Sequence, residues 1–346
     1  MIKLMKIMLC TLCILGMTGC NYNNLDKSEP ISKTEILMGT AITISIYDTK
    51  DEKILDKAFD RIREIEKLTS INIENTEIDK INKNAGKKVK VSDDTYRIIK
   101  SGHEYSKLSQ GSYDISIGPL VDIWNIGDEN AKVPSEEEIN KALSYINYKD
   151  IELNYETKEV MLKNENMKID LGSIAKGYAA DEVVKLLKSE KIERAIIDLG
   201  GNVYALGEKE ENQKWTIGIQ DPFKERGNVV GSLDISNQAV VTSGIYERFL
   251  EVDGQKYHHI LNPKTGYPYE TDIEGVSIIA DNAIDADAIS TLVFTKGLKQ
   301  GMEFIEGKDG VEAIFIGTDK KVYISSGIKG NFSIMNTEYK LQEIDK

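Results

Sequence analysis

Twelve consecutive residues, Asp170-Leu-Gly-Ser-Ile-Ala-Lys-Gly-Tyr-Ala-Ala-Asp181, put a carboxylate, a glycine and a lysine around the start of a helix. After Gly172 the apolar residues Ala175, Ala179, Val183, Leu186 and Leu187 keep a helical period. Ser173 and its neighbours are therefore expected to present free backbone N–H groups at a helix N-terminus, with Lys176 in the first turn. That arrangement suits phosphate. Taken alone, the same Gly-Ser pair is also an ordinary helix cap.

A second run, Asp281-Asn-Ala-Ile-Asp-Ala-Asp287-Ala-Ile-Ser-Thr291, spaces Asp287 and Thr291 four apart. Both then lie on one helix face and offer hard oxygen donors, which suit Mg²⁺ shared with phosphate. A solvated acidic helix start gives the same pattern. A third run, His258-His259-Ile-Leu-Asn-Pro-Lys-Thr-Gly266, ends a strand and enters a turn. Adjacent strand residues point to opposite faces and no cysteine is near, so the pair does not suit zinc. A histidine there can meet a ligand phosphate or act as acid or base near neutral pH, or can simply belong to the turn. A fourth run, 111–124, is a glycine-bounded loop with Tyr113, Asp114 and Trp124, the last read as a core residue.

The elements that must position these groups are mixed in kind. Ile42, Ile44 and Ile46 alternate with polar residues as in a half-buried strand, and periodicity predicts helices over 51–69 and 92–108. Ser135 and Glu138 form a capping box for a helix carrying Ile139 and Ala142. Strand pairs are predicted at 151–154 with 159–163, and at 249–252 with 256–260 around Asp253-Gly254. A buried strand over 195–199, a helix over 283–294 and strands near 312–316 and 322–325 follow. The lack of regular alternation predicts an α+β fold with mixed or antiparallel sheets and packed helices.

The first 20 residues combine Lys3 and Lys6, a short apolar core and a small-residue end, as in an export signal. They resemble a bacterial lipoprotein signal whose lipobox is Met17-Thr-Gly-Cys20, with methionine where leucine is usual. The expectation is a signal peptide over 1–19, lipidation at Cys20, a flexible tether over 20–35 and a single folded body over 36–340, with two intertwined subdomains as the alternative. All three cysteines (Cys10, Cys13, Cys20) fall in this leader, so the body is expected to hold no disulfide or thiolate. Without residues 1–19 the chain carries 42 basic against 57 acidic residues. Such an acidic body argues against nucleic acid and against electrostatic adhesion to membranes.

Together these runs resemble the ApbE-type FAD:protein FMN transferases, or flavin transferases, in order and spacing. The resemblance runs from Met38-Gly-Thr40 through Ser112-Tyr-Asp114, Gly118-Pro-Leu120, the 170–181 run, Asp198-Leu-Gly-Gly-Asn202, Thr242-Ser-Gly244 and His259-to-Gly266 to Asp287-Ala-Ile-Ser-Thr291. It implies an ApbE-like, T-fold-like architecture, with FAD in a cleft and Mg²⁺ on its diphosphate. Met38, Asn72, Ser112, Tyr113, Asp114, Asp170, Lys176 and His259 would then meet FAD. Asp287, Thr291 and Ser173, the last through its backbone carbonyl, would hold the metal. The implied reaction moves FMN to a threonine or serine hydroxyl of an acceptor protein and releases AMP. Lys176 would neutralise phosphate, and His259, or failing that Asp287, would be the base. The implied acceptor is an exported or membrane redox subunit, and the implied location is the extracytoplasmic face of the cell membrane, through the lipid anchor. One departure stands out: many members carry tyrosine where this chain has Asn72, which opens the alternative of FAD hydrolysis to FMN and AMP. A flavin-binding lipoprotein without chemistry is the third reading.

Overall fold

The computed structural model describes residues 29–344. The lipobox, Cys20 and the start of the tether lie outside the described residues. Nine strands form one sheet in chain order: β1 (Ile31–Leu37), β2 (Thr40–Ile46), β3 (Ala195–Leu199), β4 (Asn202–Leu206), β5 (Gln238–Gly244), β6 (Ile273–Ala280), β7 (Val311–Gly317), β8 (Lys321–Ile324) and β9 (Lys340–Leu341). All neighbours are antiparallel except β8 and β9, which run parallel. The expected α+β class with antiparallel sheets is what the chain adopts.

Both faces of this sheet are covered, so its inner strands are apolar on both sides. On one face lie the helices, among them α1 (Lys53–Thr69), α2 (Asp93–Leu108), α3 (Ala175–Ser189) and α4 (Ala283–Phe294). There Ile42, Ile44 and Ile46 meet Ile62, Ala179 and Leu292 in the main core. The other face carries a three-stranded sheet of Trp215–Gln220, Val229–Ile235 and Phe332–Ile334. Alternation divides the strands between the two cores: Ala239 and Val241 face the helices while Val240 faces the small sheet.

Two boundaries differ from the sequence reading. The tether was placed over 20–35, but ordered pairing begins at Ile31, because Ser32 and Thr34 satisfy their hydroxyls across the strand pair with Ser45 (2.9 Å) and Thr43 (2.8 Å). An edge strand buries only half its residues and so reads as polar chain. At the other end the body runs past 340, since β9 extends to Leu341 and Ile344 packs on the core. The 249–260 hairpin pairs Phe249–Val252 with Gln255–His258, and Asp253 (φ 51°) and Gly254 (φ 79°) both take the left-handed conformation of a type I′ turn. The capping box of Ser135 and Glu138 forms as expected.

A half-buried ionic knot ties three helices behind the sheet. The Arg61 guanidinium of α1 reaches Asp94 of α2 and Glu182 of α3, each at 2.7 Å, and Tyr178 donates to Asp94 at 2.6 Å. Removing the cation leaves two carboxylates facing each other. Arg61→Ala should therefore lower the unfolding free energy by about 2 kcal/mol. Arg63 pairs with the largely exposed Asp60 and with Glu35, its own side chain 35% exposed against 19% for Arg61, so Arg63→Ala should cost less, about 1 kcal/mol. Urea unfolding of both variants checks this, and equal losses would remove the knot's special role.

Candidate active site

The 170–181 run folds as a braced loop entering a helix. Asn82 grips the backbone of Ile169 from both sides, its Oδ1 accepting from Ile169 N at 2.7 Å and its Nδ2 donating to Ile169 O at 3.0 Å. Asp170 Oδ1 accepts from Gly172 N at 2.8 Å, a side-chain turn that leads into α3 at Ala175. Burial pushes the Asp170 carboxyl upward, against that hydrogen bond.

The first N–H groups of any helix lack intrahelical partners. Gly177 N, in the first turn of α3, donates to Asp287 Oδ2 of α4 at 2.8 Å. In return Asp181 of α3 accepts from Ala283 N (2.8 Å) and Ile284 N (2.9 Å), the first residues of α4. Each helix thus supplies the carboxylate that caps the other. The contact is close enough to require glycine, since a Cβ on Gly177 would collide with the Ala283 carbonyl and stand 2.7 Å from Asp287 Cβ. Burial pushes the Asp181 carboxyl up to about 6, with the two N–H groups pulling it back.

Around this junction the oxygens gather. Asp287 is buried, and its Oδ1 lies 3.9 Å from Lys176 Nζ. Ser243 Oγ of β5 sits 2.8 Å from Ser290 Oγ and 3.3 Å from Thr291 Oγ1. Ser173 Oγ donates to the buried Tyr113 hydroxyl at 3.0 Å, whose own proton is held more tightly through burial and the nearby charges of Asp287, Asp170 and Asp114. Ser112 is fixed from two sides, by Thr295 Oγ1 at 3.1 Å and, on its carbonyl, by Tyr269 OH at 2.9 Å.

The hairpin forms another wall. His258 turns inward, its Nε2 donating to Tyr269 O at 2.8 Å. His259 turns the opposite way, reaches solvent, and has Nδ1 3.2 Å from the Arg248 carbonyl. A carbonyl only accepts, so Nδ1 carries the proton and Nε2 keeps its lone pair. The surrounding protein mass, then the Arg248 and His258 charges and Lys176, push the His259 imidazolium down to about 4, against the carbonyl's pull. It is neutral at neutral pH. Met38 takes the left-handed conformation (φ 50°) in the β1–β2 turn, held by its N–H to Glu66 Oε1 at 2.5 Å.

Thus Lys176, Asp287, Thr291, Ser173, Tyr113, Ser112 and Asp170 gather about the α3–α4 junction, with His259 within the electrostatic reach of Lys176. Two further residues of the expected set have partners of their own within the protein. Asp114 spends its oxygens on Ser116 N (2.8 Å), Ser116 Oγ (2.7 Å) and Tyr148 N (3.1 Å), and so braces the loop. Asn72 stands on the exposed loop after α1, its N–H held by Ser70 Oγ. Sequence reasoning assigned no role to Gly177, Asp181, Ser243 or Arg248. The four-residue spacing of Gly177 and Asp181, one helix face, was the available signal for the first two.

The donor set fits Mg²⁺ of the shared kind. No group of three or more His, Cys, Asp or Glu side chains among the described residues makes a closed cage, but one carboxylate and one hydroxyl are what a cation completing its shell with water and phosphate needs. A ligand rich in acceptors also fits, because buried Asn202 Nδ2, just after the Gly200-Gly201 turn, has no acceptor. Gly177→Ala should separate the two helices and lower stability by roughly 2 kcal/mol. Chemical denaturation measures the loss, and an unchanged midpoint would contradict the close approach.

The ApbE family model matches residues 38–315. The chain is 35% identical to the FAD:protein FMN transferase of Klebsiella pneumoniae (strain 342), covering 92% of this chain and 98% of that protein. It is 31% identical to the FAD:protein FMN transferase of Treponema pallidum (strain Nichols), covering 97% of each. The crystal structure of the ApbE protein from Thermotoga maritima MSB8 superposes with a TM-score of 0.80 at 32% identity, over 88% of this chain and 99% of that one. With the family match, the similarity over nearly the full length and the shared fold in agreement, this chain belongs to the ApbE family.

Proposed function

We propose that this protein transfers the FMN moiety of FAD to a threonine or serine hydroxyl of an acceptor protein, releasing AMP, in a reaction that uses Mg²⁺. The observation that carries the reading is the capped α3–α4 junction, which sets Asp287, Lys176 and Thr291 against the Asp170–Ser173 loop. The reaction forms a bond from the acceptor oxygen to the FMN phosphorus and breaks the diphosphate bridge to AMP. Such a transfer rests on positioning and charge neutralisation.

Asp287 and Thr291, with the Ser173 backbone carbonyl, would hold the ion. Bound Mg²⁺ supplies charge neutralisation at the diphosphate. Lys176 adds a positive charge beside Asp287 and offsets charge on the phosphates. His259, neutral and with Nε2 unprotonated, takes the proton of the acceptor hydroxyl. Asp287 is the poorer base, since Gly177 N already occupies Oδ2 and Lys176 faces Oδ1. Ser112 and Tyr113 line the flavin side with Met38 and Asp170. Lipidation at Cys20 would hold the body to the extracytoplasmic face of the membrane, where exported or membrane redox subunits are the acceptors.

Incubating the full chain with FAD, Mg²⁺ and a threonine-bearing acceptor domain tests the reading, with a covalent fluorescent band on the acceptor as the expected product. Asp287→Ala should cut turnover roughly 10³-fold, several kcal/mol of lost charge stabilisation. Full activity in that variant would remove the ion-holding role. Because the native His259 refuses a proton until about pH 4, the acid limb of kcat/KM should lie near that pH. The unfolded imidazole titrates near 6.5, so stability should also fall as pH drops from about 6.5 towards 4. His259→Gln should abolish that limb, and a limb near 6.5 in the native enzyme would exclude His259 as its source.

FAD hydrolysis is the second reading, favoured by the exposure of Asn72, which leaves water access where an aromatic would exclude it. Asn72→Tyr should raise the ratio of acceptor-bound flavin to free FMN, and product analysis by chromatography would show no change if Asn72 is irrelevant.

A further inference from the structure

Six arginines occur in this acidic chain. Arg61 and Arg63 are ion-paired, Arg194 donates to the Lys209 and Tyr47 carbonyls, and Arg97 feels the charge of Asp94. Arg226 and Arg248 make no ion pair or side-chain hydrogen bond with any described residue, and both are exposed. Each instead overhangs a glycine turn at the same end of the sheet. A Cβ on Gly39 would stand 3.3 Å from Arg248 Nη2, and one on Gly201 would stand 3.8 Å from Arg226 Nη2. The two turns are neighbours. β2 pairs with β3 through Ile42 and Leu199, and a Cβ on Gly200 would strike Thr40.

The carboxylates at this end of the sheet are held by backbone groups, Asp198 accepting from Gly201 N at 2.7 Å and Glu66 from Met38 N, so the two guanidiniums are left without them. Asn202 Nδ2, directly after Gly201, is buried without an acceptor, a loss of about 1–3 kcal/mol unless something supplies one. Lys176, Arg226 and Arg248 all act on the charge of Glu247, and Arg248 on that of Asp170, but no ion pair joins either arginine to a described residue. Planar guanidinium forks left unpaired in a chain of net charge −13 suit bidentate hydrogen bonding to phosphate oxygens. Among the phosphates of the proposed reaction, the adenosine-side phosphate gains charge as it leaves, and free cations favour the group that gains charge.

We propose that Arg226 and Arg248, with the Asn202 amide beside Gly201, form a phosphate clamp that holds the adenosine-side phosphate of FAD and of departing AMP. The assignment of that phosphate rests on the transferase reading above. The clamp itself is tested by binding, without turnover.

Calorimetric titration of the full chain with AMP and with adenosine, in buffer free of Mg²⁺, measures what the phosphate contributes. AMP should bind at least about tenfold tighter than adenosine. Arg226→Ala and Arg248→Ala should each cut that ratio roughly fivefold, the double variant should bring it near unity, and adenosine affinity should stay as in the native chain. Arg97→Ala, an exposed arginine on α2, should leave the ratio alone. A native chain that binds AMP and adenosine equally, a ratio that survives the double substitution, or a parallel loss of adenosine binding would overturn the clamp. FAD consumption by the native chain, followed separately, keeps the two ideas apart. Turnover without phosphate discrimination removes only the clamp; discrimination without turnover removes only the transferase reading.

Discussion

Two helices that cap each other set the geometry of everything around them. The orphan N–H of Gly177 needs an acceptor and finds Asp287, while the orphan N–H groups of Ala283 and Ile284 find Asp181. Both carboxylates are thereby fixed by backbone groups, which hold direction better than long side chains do. Because Gly177 lacks a side chain, α3 and α4 approach closely enough for these bonds to form, and Lys176 is carried to 3.9 Å from Asp287. Slide either helix and the carboxylate, the lysine and the hydroxyl of Thr291 separate together.

The sheet supplies the floor on which the pair rests. α4 is buried on nearly all sides, between α3 and strands β5 and β6, so Asp287 and Ser290 can remain polar there only because Gly177 N, Ser243 and the Asp287 carbonyl satisfy them. Strand geometry explains the two histidines equally directly. Adjacent residues face opposite ways, so His258 is spent on the Tyr269 carbonyl while His259 meets the Arg248 carbonyl and solvent. The loop bearing Ser112 and Tyr113 is then clasped between Thr295 at the end of α4, Tyr269 and Ser173. Three walls far apart in sequence meet through a few hydroxyl contacts.

Much of this was legible in the residues. The 3.6 period marked the helices over 53–69, 93–108 and 283–294 within a residue or two, and Asp253-Gly254 marked the hairpin. Residue type and spacing single out Asp287, Lys176 and Thr291, and the fold carries Lys176 to 3.9 Å from Asp287. For Asp114 a loop carboxylate looks the same whether it serves a ligand or its own backbone, and only the fold brings it the three donors Ser116 N, Ser116 Oγ and Tyr148 N. Residues 31–35 of the edge strand β1 look like tether in the sequence because their exposed face is polar and their pairing partner lies across a turn.

By itself the sequence determined the residue types, the amphipathic periods, the charge and the ordered runs that mark an ApbE-family chain. Those follow from local chemistry, since a helix period or a turn-forming Asp-Gly is a property of neighbouring residues. Only the tertiary structure decided which donors each carboxylate meets. The partners of Asp287 and Asp181 lie more than 100 residues away. Whether such groups meet depends on how closely two helices approach, and a missing Cβ at Gly177 sets that distance.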